Sequence, residues 1–320
     1  MNVILSYSGL SKILFSPNLY YKHYILGERE ESIDSWAVDG SIVDAYLTDQ
    51  KIEDKFAIVP GVIPTESTKK LVYRIYKQRD EEHVSNDLSA YSEDILDILK
   101  EINLHQALKT DAQRLDKILT DDAKNYFKFL CESEGKIVID TETLERNKAR
   151  ADMVKADPFA ADRLQLAGSD FNFEVITQKM LQVDLKKYPG ITLRGIPDRI
   201  VIDNKNKIVR IIDIKTSSKS LNDFYPDTFN FYNYGLQSAV YIVLVMGDPA
   251  MEEYRSYKLE FEFFVIDKYD DFCFFPVSNA LMTHNHDELE KAIQIAKYHL
   301  ENEDFNRPYK FRNGIFVLSW

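Results

Sequence analysis

The segment Val209–Ile214 constrains the fold strongly, because it places an ionisable residue inside an apolar run. It reads Val-Arg-Ile-Ile-Asp-Ile, and Lys215 follows directly. Successive residues of a strand point to opposite faces, so Asp213 and Lys215 project on the same side of a strand. Burying a carboxylate and an ammonium group is costly unless they pair or bind an ion. The run therefore predicts a buried strand that carries a charged site on one face.

A second carboxylate, Asp198, precedes this strand and follows Pro197. The spacer at 203–207 reads Asp-Asn-Lys-Asn-Lys, which is typical of a hairpin turn between the apolar runs 200–202 and 208–214. Taken alone, Asp198 is better explained as a turn aspartate. Two carboxylates and a lysine at one place, however, predict a site for a hard cation with an attached general base or electrophile.

The order Pro197-Asp198, spacer, Asp213-Ile214-Lys215 resembles the signature of the PD-(D/E)XK nuclease superfamily. Other segments resemble the RecB-like branch and the RecE-like phage-type exonucleases. These segments are Leu5–Leu10 and Ser16–Tyr20, the stretch Gly40–Ala45, Glu174 within Phe171–Thr177, and the pair Gln237-x-x-x-Tyr241.

The resemblance implies a metal-dependent DNA nuclease, and most directly an exonuclease that resects double-stranded DNA ends in phage-type recombination or replication. It implies one or two Mg²⁺ or Mn²⁺ ions, bound by Asp198, Asp213, the main-chain carbonyl of Ile214, Glu174 and Asp44. We expect catalysis by Lys215, Asp198, Asp213 and Glu174, and DNA positioning by Gln237, Tyr241, Arg199 and Ser8. The expected partners are DNA ends, a single-strand annealing protein and further copies of the chain in an oligomer.

One position departs from the resemblance. The RecE-like exonucleases usually carry a histidine where this chain has Asp44. Aspartate is also a ligand for hard cations, so Asp44 either keeps a metal with altered affinity or lies outside the site. The alternative function is a non-catalytic or partly decayed nuclease-fold module that binds DNA or protein partners.

The net charge of −12 over 320 residues argues against general polyanion binding, because nucleic-acid affinity comes largely from phosphate neutralisation by Lys and Arg. A nuclease needs only a local basic track. No apolar run approaches the ~18–20 residues of a membrane helix, and no secretory signal precedes the first helix. Cys131 and Cys273 lack metal-type spacing. We therefore expect a reduced, cytoplasmic protein with no membrane association. Candidates for the basic track are Lys186, Lys187, Arg194, Arg199, Lys215 and Lys219.

The residue pattern changes near Asp170 from helical to strand-like periodicity. We predict an α/β (α+β) fold with a central mixed β-sheet flanked by helices. Its restriction-endonuclease-like core covers residues 166–320 and includes a C-terminal helix, and a helical part over residues 1–165 packs on it in one continuous domain. Helices are predicted at 1–26, 33–47, 89–131, from 141, at 231–246 and at 287–302. Strands are predicted at 171–176, 180–185, 192–202, 208–215, 258–267 and 271–277.

Overall fold

The computed structural model describes residues 2–28, 35–79, 85–166 and 171–314, which form two compact units. The first unit joins residues 1–49 to residues 150–320, and the second unit comprises residues 50–149. The sequence pattern predicts a change from a helical part to the core between residues 165 and 166. The second unit instead begins at residue 50 and ends at residue 149. Among the described residues, no helix is long and apolar enough to cross a membrane.

Ten strands are described. They are β1 (Val3–Leu5), β2 (Phe56–Ile58), β3 (Ile137–Ile139), β4 (Phe173–Thr177), β5 (Leu181–Asp184), β6 (Ile191–Gly195), β7 (Arg199–Asp203), β8 (Ile208–Thr216), β9 (Lys258–Ile266) and β10 (Phe272–Pro276).

The described α-helices are α1 (Tyr7–Phe15), α2 (Pro17–Tyr20), α3 (Ser35–Leu47), α4 (Ile52–Lys55), α5 (Glu66–Gln78), α6 (Ser92–Glu101), α7 (Asp111–Ile118), α8 (Asp121–Glu132), α9 (Thr141–Ala156), α10 (Pro158–Leu164), α11 (Leu221–Asp223), α12 (Tyr234–Gly247) and α13 (Asn279–Asn302). Single π-helical segments cover Tyr21–Ile25 and Phe224–Phe229. Short 3-10 segments cover Leu88–Tyr91, Pro249–Tyr254 and Tyr309–Phe311.

A five-stranded mixed sheet forms the centre of the first unit, in the order β10-β9-β8-β7-β4. Strands β8 and β9 are parallel, and the other three pairings are antiparallel. A second sheet of three strands, in the order β1-β6-β5, belongs to the same unit. The predicted class, a central mixed sheet flanked by helices, is confirmed.

Helices cover both faces of the five-stranded sheet, which explains why β8 is apolar on both sides. On one face, Val209 and Ile211 of β8 pack in a cluster with residues of α1, α12 and α13. On the other face, Ile212 and Ile214 pack in a second cluster with residues of α3, α10 and the last turns of α9. The alternation along β8 therefore assigns Asp213 and Lys215 to the α12 face.

Several predicted elements have different bounds in the structure. The helix predicted at 287–302 begins earlier, at Asn279, and the helical stretch predicted at 89–131 is divided among α6, α7 and α8. The helix predicted over residues 1–26 is wrong at its start, where β1 instead pairs in parallel with β6. Helix α1 follows, and the Ser6 hydroxyl accepts a hydrogen bond from the Gly9 N–H at 3.2 Å as its N-cap. The strand predicted over 192–202 is divided into β6 and β7 by the turn at 196–198. The helix predicted over 33–47 begins outside the described residues and continues as α3.

The second unit is helical and has its own apolar core. Helices α5, α6 and α8 contribute Val72, Ile95, Leu99 and Phe127, each fully buried. Strands β2 and β3 form a short parallel pair in the same unit. A separate core is what allows residues 50–149 to form a compact unit.

Gly40 of α3 brings this helix close to the end of β8. A Cβ atom at position 40 would lie 2.6 Å from the Oγ1 atom of Thr216, so a larger residue requires Thr216 to rotate or α3 to move. The contact fixes the helix that carries Asp44 against the strand that carries Asp213 and Lys215.

We expect Gly40→Ala to lower the free energy of unfolding by about 1–3 kcal/mol, because it overpacks this contact. In a Thr216→Ala background the same change should be neutral or stabilising, since the obstructing hydroxyl is gone and alanine favours the helix. Urea denaturation of the four proteins measures the coupling. Equal costs of Gly40→Ala in both backgrounds would contradict the packing argument.

Candidate functional site

Asp213 and Lys215 form a buried ion pair on β8. The Lys215 Nζ atom lies 2.5 Å from the Asp213 Oδ2 atom, and Asp213 is 1% exposed. The other carboxylate oxygen of Asp213 accepts a hydrogen bond from Gln237 Nε2 at 3.0 Å. The same amide nitrogen lies 3.3 Å from the Tyr241 hydroxyl. The sequence placed Gln237 and Tyr241 one turn apart on one helix face, and α12 brings both to the pair.

The side chains of two tyrosines, Tyr234 and Tyr7, lie near the ammonium group. Lys215 Nζ lies 4.9 Å from the ring centroid of Tyr234, a distance at which a cation is attracted to the ring face. Burial raises the pKa of Tyr234 to about 12, although Lys215 opposes this rise. Burial also raises the pKa of Tyr7, and Lys215 again opposes the rise. Both phenols therefore remain neutral near pH 7 beside the cation.

Asp198 lies at the turn between β6 and β7, beside the middle of the site. Its Oδ2 atom accepts a hydrogen bond from the Ile214 N–H at 2.8 Å. Its Oδ1 atom lies 3.4 Å from Gln178 Nε2, and the same amide nitrogen lies 3.0 Å from Asp44 Oδ2. Asp44 and Asp198 thus share one amide donor, and Asp44 of α3 belongs to the site neighbourhood.

The protonation of the site follows from burial and from the crowding of carboxylates. Burial raises the pKa of Asp198 well above its ordinary value, and the charges of Asp213 and Asp44 raise it further. Burial also raises the pKa of Asp213, and Lys215 opposes that rise. For Lys215 itself, burial is the largest single effect and lowers the pKa, but Asp213, Tyr234, Asp198 and Tyr241 together raise it above its ordinary value. The lysine is therefore a permanent cation near neutral pH, and Asp198 is the carboxylate that takes up a proton.

The donors at the site fit a hard divalent cation. Asp213 Oδ2 is buried with no hydrogen-bond donor on it other than the ion-paired ammonium, and the Gln237 Oε1 atom is buried without a hydrogen-bond partner. Carboxylate and carbonyl oxygens are the ligands that Mg²⁺ takes in proteins. A cation among Asp44, Asp198 and Asp213 would offset their mutual repulsion. Within the described ranges, no three His, Cys, Asp or Glu side chains are already arranged as a metal-binding group.

Three predicted site residues lie elsewhere. Arg199 is 2% exposed, and its guanidinium donates to the carbonyl oxygens of Leu164 at 2.5 Å, Leu47 at 2.6 Å and Gln165 at 3.2 Å. The structure does not bring Arg199 to the cluster, because β7 turns its side chain to the face opposite Asp198 and buries it.

Glu174 and Ser8 are the other two residues that lie outside the cluster. Glu174 pairs with Ile202 across β4 and β7, about 10 Å along the strand from Arg199. Its Oε2 atom accepts a hydrogen bond from the Tyr254 hydroxyl at 2.6 Å. Ser8 is exposed, and its hydroxyl lies 3.0 Å from that of Ser6. The structure does not bring either side chain to Asp213.

Three residues of the site, namely Tyr7, Gln178 and Tyr234, were not predicted from the sequence. Tyr7 lies in the N-terminal segment that resembles exonucleases, and Tyr234 lies three residues before Gln237. Gln178 has a positive φ of 49°, which is uncommon outside glycine and is often found at functional sites. No local sequence signal marks Gln178, since its role depends on contacts with Asp44 and Asp198.

Comparison with known proteins gives a family match over most of the chain. The family model described as the PD-(D/E)XK nuclease superfamily matches residues 4–307. Among solved structures, the chain is similar to a "putative exonuclease" from Eubacterium rectale, with 13% identity and a TM-score of 0.48, over 99% of this chain and 90% of that chain. No curated protein matches the chain.

The raised pKa of Asp198 predicts a pH dependence of stability in the absence of metal. Between the two pKa values the folded protein keeps a proton on Asp198 that the unfolded chain has released. The protonated Asp198 therefore makes its full contribution to the free energy of unfolding below about pH 4, and this contribution is lost as pH rises through the raised pKa. Asp198→Asn keeps an oxygen for the Ile214 N–H but carries no charge. In EDTA, we expect the wild type to lose more stability than Asp198→Asn between about pH 4 and pH 8, at about 1.4 kcal/mol per unit of pKa difference.

Urea denaturation across this pH range measures the difference. Asp203→Asn is the matched control, because hydrogen bonds from Asn206 lower the pKa of Asp203 against the opposing effect of burial. The ionised Asp203 carboxylate therefore stabilises the folded protein above its ordinary pKa. Asp203→Asn should be less stable than the wild type near neutral pH, whereas Asp198→Asn should be more stable than the wild type there. Parallel pH profiles for the wild type and Asp198→Asn would contradict the prediction.

Proposed function

The chain belongs to the PD-(D/E)XK nuclease superfamily, and from this premise and the geometry of its site we propose that it is a metal-dependent deoxyribonuclease. The observation that carries the proposal is the buried pair of Asp213 and Lys215, with Asp198 held against the next residue of the same strand. Two carboxylates and a lysine at one end of a sheet are suited to phosphodiester hydrolysis.

Asp198, Asp213 and the main-chain carbonyl of Ile214 would hold Mg²⁺ or Mn²⁺, with Asp44 beside them. When bound, such a cation lowers the pKa of a coordinated water and stabilises negative charge on the leaving oxygen. Glu174 has no part in this set, because its carboxylate accepts from Tyr254 at a distance along the sheet.

Lys215 acts as a fixed positive charge. Its pKa is raised, because Asp213, Tyr234, Asp198 and Tyr241 together outweigh the lowering effect of burial, so the ammonium group stays protonated near neutral pH. The ammonium group instead donates hydrogen bonds to the phosphate and stabilises the charge that develops on its oxygens. Asp213 and the ring of Tyr234 hold the ammonium in place, so little rearrangement accompanies the reaction.

Gln237 and Tyr241 position the pair. The amide of Gln237 fixes one oxygen of Asp213, which leaves the other oxygen directed at Lys215. Tyr241 has a raised pKa, chiefly from burial and then from Asp213, and its neutral hydroxyl can donate to a phosphate oxygen.

We further propose that the substrate is the end of a double-stranded DNA, as in phage-type exonucleases. The N-terminal segments resemble those enzymes, and they contribute Tyr7 and Asp44 to the surroundings of Lys215 and Asp198. An enzyme that starts at an end requires a free terminus, so a linear duplex and a closed circle distinguish it from an endonuclease.

With Mg²⁺, we expect the wild type to degrade linear duplex DNA and to leave a covalently closed circle intact. Lys215→Ala and Asp213→Asn should each lower the rate by at least about 10²–10³-fold, because each removes an electrostatic group from the site. Gel assays with 5′- and 3′-labelled duplexes measure the rates and the direction of digestion.

Lys205→Ala, in the exposed turn between β7 and β8, is the matched control and should retain activity. Equal digestion of circle and linear duplex would overturn the exonuclease assignment. Full activity of Lys215→Ala in folded form would overturn the assignment of the site.

Asp44 tests whether the departure from the family pattern still serves the metal. We expect Asp44→Ala to weaken Mn²⁺ binding several-fold, because it removes one negative charge beside Asp198. Isothermal titration measures this without DNA. Glu174→Ala is the control, and its metal affinity should match that of the wild type. Unchanged affinity in Asp44→Ala would show that residue 44 serves only the structure.

A further inference from the structure

A groove of about 420 Å³ opens beside the candidate site, within the first unit. This volume falls in the roughly 300–1,000 Å³ range of small-ligand pockets. Tyr234 lines the groove and also lies over Lys215, and Thr216 is the residue that follows Lys215 on β8. The groove is therefore continuous with the place where the scissile phosphate would lie.

The outer part of the groove is made of exposed aromatic side chains. Phe231 is 82% exposed, Trp36 is 47% exposed and Tyr232 is 38% exposed. Their rings are neighbours, with centroids 6.1 Å apart for Trp36 and Tyr232 and 4.9 Å apart for Phe231 and Tyr232. Exposing several neighbouring apolar rings to water is unfavourable, and such patches usually mark a binding surface.

The backbone that carries these rings is irregular. The π-helical segment Phe224–Phe229 precedes Phe231, and Asn233 has a left-handed φ of 55° at the start of α12. Single π-helical turns and non-glycine residues with positive φ are concentrated at functional sites. This conformation holds Tyr232 and Tyr234 in a stack, with centroids 5.6 Å apart, between the groove and the ion pair.

We propose that this groove binds an unpaired nucleobase of the DNA strand whose phosphate lies at Lys215. The inference rests on the proposed nuclease function and adds to it the state of the substrate. Bases inside a duplex have both faces covered by neighbours, so only an unstacked base can present a ring face to Phe231 or Trp36. The strand is thus engaged in single-stranded form next to the reacting phosphate.

The chemistry of the rim agrees with a nucleotide. Lys219 lies at the groove and is half exposed, with its Nζ atom 3.0 Å from Asp227 Oδ2. A surface pair of this kind contributes little to stability and can exchange its carboxylate for a phosphate. Aromatic faces for the base and an ammonium group for the backbone are the two elements of single-strand recognition.

The test is a binding measurement in EDTA with the full chain, so that no hydrolysis is involved. The probes are a labelled oligothymidylate and an abasic oligomer of the same length, which carry the same phosphates. We expect the wild type to bind the oligothymidylate on the order of tenfold more tightly, as base stacking on rings would give. Phe231→Ala should remove most of this preference and leave the affinity for the abasic oligomer unchanged.

Phe15→Ala is the control, because Phe15 is 80% exposed on α1 and does not line the groove. Equal binding of the two probes by the wild type, or an unchanged preference in Phe231→Ala, would overturn the proposal. Digestion with Mg²⁺ is assayed separately. Hydrolysis without a base preference overturns the groove assignment alone, and a base preference without hydrolysis overturns the nuclease assignment alone.

Discussion

The ion pair between Asp213 and Lys215 is the interaction around which the first unit is organised. A carboxylate and an ammonium group buried in an apolar strand carry a desolvation cost that their mutual attraction offsets only with additional partners. Gln237 and Tyr234 of α12 and Asp198 of the turn between β6 and β7 are those partners or their neighbours. The helices on the two faces of the sheet hold these partners in place. The buried charges therefore lower the stability of the fold at this site, and in return they are already arranged before any ligand binds.

Much of the sheet and of the ion pair could be predicted from local sequence. The period of a strand places Asp213 and Lys215 on one face, and the period of a helix places Gln237 and Tyr241 on one face. The same rule also explains why Arg199 lies away from the cluster. Arg199 follows Asp198 directly, so the strand points their side chains to opposite faces. The guanidinium of Arg199 is buried in the core, where it donates hydrogen bonds to three main-chain carbonyl groups.

The remaining residues depend on pairings that one sequence does not display. Glu174 resembles an acidic family position, yet the register of β4 against β7 sets it beside Ile202 and directs it to Tyr254. Gln178 is the opposite case. No local sequence pattern points to it, yet long-range packing brings it between Asp44 and Asp198. Strand register and helix docking are decided by the sum of many weak contacts.

The helical unit at residues 50–149 is inserted between two segments of the first unit, and both of these segments are packed in the core next to the insertion. Leu47, shortly before the interruption, and Ala151, shortly after it, are both buried in the apolar cluster under the sheet. The two ends of the insertion are thus anchored to the same core, and the entropy of closing a connecting loop grows only slowly with its length. A change in the length of this segment therefore carries only a small entropic cost for the first unit. The chain thus leaves and re-enters the first unit at two points of one apolar cluster, without breaking that unit's core.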